Sequence, residues 1–135
     1  MEYSEIIAEG SKEILMVIAE RIASFHKIEV VRPSDDGMVM VCHIDPLDKT
    51  PFYMGEAYVT ECEVEVDGLL GYSCLLGRKE EEVLYGAVID AVMSSGFDIK
   101  KEVEFMLKAE EQVILSRWEK EEKMIAGTKV DFEVR

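Results

Sequence analysis

The chain has 135 residues, 48% of them apolar, which suits one domain with its own hydrophobic core and excludes a disordered chain. Twenty-nine acidic residues against 15 basic ones give a formal charge of −14, a surface that repels nucleic acid, disfavours unaided binding of a nucleoside triphosphate and favours basic partners. No apolar run approaches the ~18 residues of a membrane span. The start, Met1-Glu2-Tyr3-Ser4-Glu5, lacks the basic segment of a secretory signal, so a cytoplasmic location is expected.

The first element reads as a helix, with Ile14, Ile18 and Ile22 at a spacing of four and Gly10-Ser11 as a break or a cap for its second part. Ile28–Val31 reads as a short strand ended by Pro33, and Asp35-Asp36-Gly37 as a turn. Met38–Ile44 is apolar at nearly every position, the pattern of a strand covered on both faces. A loop follows over 45–51.

From Phe52 to Asp67 the residues alternate. The even row (Phe52, Met54, Glu56, Tyr58, Thr60, Cys62, Val64, Val66) points inward, and the acidic odd row is solvated. Asp67-Gly68 is the pair that favours a type I′ hairpin, with Leu69–Leu76 as its return strand. Lys79–Ser95 and Asp98–Met124 read as helices, the second carrying Val103, Leu107, Ile114, Trp118 and Ile125 in one stripe. Thr128–Val134 reads as a last strand. The expected fold is α+β in one domain over 1–135. Its antiparallel sheet has about four to five strands with helices on one face, in the order α-β-β-β-β-α-α-β.

No self-sufficient catalytic motif is present: no nucleophile elbow, P-loop, dinucleotide fingerprint or HExxH. Cys42, Cys62 and Cys74 have neither zinc spacing nor an even count, and read as buried thiols; a metal site from Cys42, Cys62 and His43 is the weaker alternative. Glu56 breaks the apolar row of its strand. It reads either as an acid/base or ligand-orienting group, or as a side chain turned outward by a bulge at Gly55 or held in an ion pair.

Arg78 follows Gly77 where a strand ends and a helix begins, a place suited to anions. Glu80, Glu81 and Glu82 in the same first turn oppose that, and a structural salt bridge is the alternative. The helix that follows is apolar nearly all round, so it is covered either by its own core or by another subunit. Its Asp90 then needs a partner, with Arg78 and Arg117 as candidates. His26 reads as a surface residue near a helix end. Together Arg78, Glu56, Thr60 and Asp90 form the candidate anion-binding or subunit-interface set, with no catalytic residue assigned and no metal expected.

Four blocks resemble one family. They are Pro51-Phe52-x-x-Gly55-Glu56-Ala57-x-x-Thr60-x-Cys62; Asp67-Gly68-x-x-Gly71-Tyr72-Ser73; Leu76-Gly77-Arg78 with Ala87-x-x-Asp90-Ala91; and Thr128-Lys129-Val130-Asp131-Phe132. Their order and spacing are similar to the PhnG family, a component of the bacterial carbon–phosphorus lyase system for phosphonate use. Glu61, where the family often has Arg, marks a divergent member. The resemblance implies a protein that acts with H-, I- and L-type subunits to displace adenine from ATP with an alkylphosphonate. It also implies a J-type partner in the core complex and no cofactor in this chain itself. A homodimer or hetero-oligomer is expected. The alternative is a stand-alone homodimeric phosphonate- or phosphate-binding protein sharing the fold.

Overall fold

Ser11 divides the first apolar segment. In the computed structural model, which describes residues 2–44, 47, 49 and 51–133 without the side chains of 40–44, 51–54 and 125–133, helix α1 spans Tyr3–Glu9 and α2 spans Lys12–Ala23. The Ser11 hydroxyl accepts the Ile14 N–H at 3.4 Å, the N-cap role expected of it. Then follow β1 (Ile28–Ile44), β2 (Pro51–Val66), β3 (Leu69–Leu76), α3 (Glu80–Met93) and α4 (Lys100–Glu133). The sheet is antiparallel in the order β1-β2-β3, with β2 in the centre.

The fold is thus α+β as expected, but the described residues hold three strands rather than four to five. The two strands expected over 28–31 and 38–44 are one. Register shifts between Val30 and Arg32 and between Arg32 and Asp35 each add one residue to β1. These bulges absorb Pro33, which an edge strand tolerates, and they keep the Asp35-Asp36-Gly37 turn signal inside the ladder. The last strand expected over 128–134 is also corrected. Residues through Glu133 continue α4, because the Glu- and Lys-rich run 119–123 favours a helix and Gly127 in its interior costs only about 1 kcal/mol. Val134, and most of the loop expected over 45–51, lie outside the described residues.

From Thr60 onward the inward row of β2 behaves as read from the alternation. Thr60, Cys62, Val64 and Val66 are fully buried. Glu61 and Glu63 of the outward row meet Arg32 at 3.2 and 3.8 Å, and Tyr72 donates to Glu61 at 2.7 Å. Asp67 and Gly68 both have positive φ, 47° and 86°, as a type I′ turn demands.

Helix α3 lies across the inner face of the sheet, with α2 and α4 on its other side. That sandwich explains its apolar circumference: Val83, Ala87, Val88, Ile89, Ala91 and Val92 are all buried within the chain itself. Contact with the sheet is close at Gly71 of β3. A Cβ built there would lie 2.1 Å from the Ala87 carbonyl oxygen and 2.7 Å from the Ala91 Cβ. Val103, Leu107 and Ile114 of α4 complete the core, while Trp118 on the same stripe is 37% exposed, beyond the body the helix packs on.

Candidate functional site

Gly77 is the point where β3 leaves the sheet. Its φ of 84° lies in the left-handed region that glycine enters without a Cβ penalty, and its N–H donates to the Tyr58 carbonyl at 2.9 Å. Thr60 fastens this turn from the core side. Its hydroxyl donates to the Gly77 carbonyl at 2.6 Å and accepts the Lys79 N–H at 3.2 Å. A threonine can occupy this buried position because both capacities of its hydroxyl are used. Lys79 is the N-cap of α3 and supplies no side-chain cap.

Arg78, one residue on, is exposed. Its guanidinium sits beside the Tyr58 phenol and the Asp36 carboxylate, and Tyr58 first, then Asp36, raise its pKa above the ordinary value. Asp36 in turn pushes the Tyr58 phenol up, while Arg78 pulls the other way. The Tyr58 hydroxyl is shut off from solvent and makes no hydrogen bond of good geometry. The first turn of α3 is already occupied by its own chain: Glu81 pairs with Lys12 at 2.5 Å, and the Ser34 hydroxyl donates to the Glu80 carbonyl at 2.7 Å.

Glu56 lies on the same strand as Thr60 and is exposed. The bulge expected beside it exists: Val41 pairs with Gly55 but Cys42 with Tyr53, so Met54 is the extra residue, and Gly55 has φ 140°. Among the described residues no hydrogen bond or ion pair joins Glu56 to Arg78. Its exposure follows from position, since the helix layer begins at the level of Thr60 and Lys79 and Glu56 lies beyond it.

Asp90 lies near the far end of α3 and corrects the expected pairing. Its carboxylate accepts the Tyr3 hydroxyl at 2.9 Å and the Tyr72 N–H at 3.0 Å. Neither Arg78 nor Arg117 is its partner; Arg117 meets Glu9 at 3.4 Å. Asp90 thereby ties α1 and β3 to α3. Gly71 beneath Ala87 and Ala91, with Tyr72 bonded to Asp90, accounts for two of the four sequence blocks as one packing unit. Thr60, Gly77 and Arg78 thus converge at one end of α3, with Asp36 and Tyr58; Asp90 does not join them.

Sequence reasoning missed a second cluster at the opposite end of the sheet. The His26 Nδ1 lies 2.6 Å from the Asp67 carboxylate, and the imidazole stacks on Phe97 with ring centroids 4.2 Å apart. Asp67 also accepts the Lys27 N–H at 3.1 Å. The His26 bond first, then the Lys27 amide, hold the Asp67 pKa below its ordinary value. The side chains of His26, Phe25, Phe97, Asp98 and Glu102 line a cleft of about 650 Å³. His26 is half-buried rather than a free surface residue. The only hint in the sequence was Asp at the first position of a type I′ turn, which says nothing about a histidine 41 residues away.

Neither cluster supplies a nucleophile. Burial pushes the Cys62 thiol up, and its Sγ donates to the Arg32 carbonyl at 3.3 Å, which describes an inert structural thiol. Cys74 is exposed, a correction to its reading as buried. No group of three metal-ligating side chains occurs among the described residues; the side chains of Cys42 and His43 lie outside them. No helix among the described residues is long and apolar enough to cross a membrane.

A family model described as "Phosphonate metabolism protein PhnG" matches residues 2–135. No curated protein matches the chain.

Proposed function

The chain belongs to the phosphonate metabolism protein PhnG family, and from that premise we propose that it is a non-catalytic subunit of a carbon–phosphorus lyase core complex. It acts with H-, I- and L-type subunits in the transfer of ribose 5-triphosphate from ATP to an alkylphosphonate, with release of adenine. A J-type subunit joins the same core. The observation that carries the reading is the family match over nearly the whole chain. Two physical features support a non-catalytic role. The Thr60 hydroxyl at the Gly77 turn is committed to fastening α3, and a net charge of −14 opposes unaided capture of a triphosphate.

The test is reconstitution. The chain is co-expressed with H-, I- and L-type subunits, and adenine release from ATP and an alkylphosphonate is followed with and without it. The expected result is co-elution with the other subunits and loss of adenine release when the chain is omitted. Full activity without the chain, together with separate elution, would reject the proposal. A stable dimer of the chain alone that binds a phosphonate would favour the stand-alone binding protein instead.

A further inference from the structure

Strand β3 pairs with β2 only from Val59 to Val66, whereas β1 follows β2 along its whole length to Pro51. Residues 38–44 and 51–58 therefore form a two-stranded ribbon that runs past the end of the three-stranded sheet for about 25 Å. Isolated two-stranded ribbons are marginal in water. Met38 and Val39 on this ribbon are 58% and 43% exposed. Consecutive strand residues point to opposite faces, so both faces are bare at that point. The sequence from Met38 to Val41 is nonetheless apolar at every position, the composition of a strand covered on both sides. Nothing among the described residues supplies that cover at Met38 and Val39.

The ribbon also has an open edge. Where Gly77 carries β3 out of the sheet, the lane beside β2 is vacated. The Gly77 N–H bonded to the Tyr58 carbonyl is the last rung of that ladder. By the alternation of an antiparallel ladder, Glu56 turns its own N–H and C=O towards the same lane, where no strand stands opposite among the described residues. Leu76, at the lane's mouth, is 68% exposed.

We propose that this vacated lane beside Pro51–Ala57 receives an extended segment of a different subunit, apolar in its inward residues and flanked by basic ones. The inference rests on the reading of the chain as a complex subunit and adds the surface through which it joins. Charge selects the occupant. From Asp35 to Tyr58 the chain carries Asp35, Asp36, Asp45, Asp48 and Glu56 against Lys49 alone. Two copies of a chain with a formal charge of −14 repel one another, whereas a basic partner neutralises that charge. Strand addition supplies main-chain hydrogen bonds to the ribbon edge, and the body of the partner subunit behind that strand covers the ribbon's bare faces.

The test uses two variants. Glu56→Pro removes a lane-facing donor and leaves the β1 ladder intact, because that N–H points away from β1. Met38→Lys places a charge on an exposed face without touching the core. Phe105→Glu on α4, where the side chain is 75% exposed, is the control. Each is co-expressed with the H- and I-type subunits, and the affinity of the purified variant for them is measured by calorimetry beside its melting temperature alone. The expected result is an at least tenfold weaker affinity for both ribbon variants, with unchanged melting and an unaffected control. In the wild-type complex, amide exchange at Glu56 should slow. Wild-type affinity in both ribbon variants would overturn the lane while leaving the subunit reading intact. A wild-type chain that binds neither subunit overturns both. A wild-type homodimer that Glu56→Pro turns into a monomer overturns the choice of occupant.

Discussion

Replacing Gly71 by alanine tests the closest contact between the sheet and its covering helix. The added Cβ would lie 2.1 Å from the Ala87 carbonyl oxygen and 2.8 Å from the Ala91 nitrogen. Both are backbone atoms, so no side-chain rotation relieves the overlap. Real Cβ atoms essentially never come within 3.0 Å of such atoms, and α3 must retreat by roughly 1 Å in an interior packed as densely as an organic crystal. The retreat loosens Val83, Val88 and Val92 against the sheet. Overpacking of this kind costs typically 1–3 kcal/mol, and the rigid opposing atoms argue for the upper end, about 3 kcal/mol. For a chain of this size that lowers the melting temperature by about 10 °C. Thermal and urea denaturation of the purified protein measure it. Gly96→Ala is the matched control: nothing lies within 4 Å of its built Cβ, so its stability should stay within about 0.5 kcal/mol of wild type. A Gly71→Ala protein that melts within 2–3 °C of wild type (about one kilocalorie or less) would refute the close-contact argument.

Further outcomes follow from the other polar groups. Asp90→Ala leaves the Tyr3 hydroxyl and the Tyr72 N–H without their acceptor and should cost about 2 kcal/mol in urea unfolding. A double-mutant cycle with Tyr3→Phe should be clearly non-additive, and additive values would deny the bond. Asp67 is held below its ordinary pKa, so its contribution is complete above the ordinary aspartate range and fades as pH falls through the lowered value. An NMR titration of Asp67 should show its midpoint move upward in His26→Ala, and an unmoved midpoint would break the link. Cys74, being exposed, should react with a thiol reagent in the native state, and buried Cys62 only on unfolding; peptide mapping separates the two, and equal rates would contradict the burial.

How much of this was legible depends on the range of the interactions. The row from Phe52 to Asp67 disclosed a strand, its inward face and its hairpin, because period-two alternation and the Asp67-Gly68 pair act between neighbours. Asp35-Asp36-Gly37 misled, since the same residues that make a turn can also stand in a regular ladder, and only the partner strand decides between them. The partners of Asp90 were out of reach. Tyr3 lies 87 residues away and the other donor is a backbone N–H, which every non-proline residue possesses. The bare ribbon was visible only as a contradiction between a doubly apolar sequence and a strand whose Met38 and Val39 are exposed.

The contacts of α1 bear on the order in which the chain can assemble during synthesis. This helix has 7 residues, too few to persist alone in water. Its anchors emerge last: Tyr3 meets Asp90, and Glu9 meets Arg117 across 108 residues, while Ser11 just after it meets Glu110. This helix is therefore among the last elements to find its place, and Ile6 and Ile7, buried at the end, stay unprotected until α3 and α4 have been made. A nascent chain is open to misassociation through α1 over that interval, and slower synthesis lengthens it.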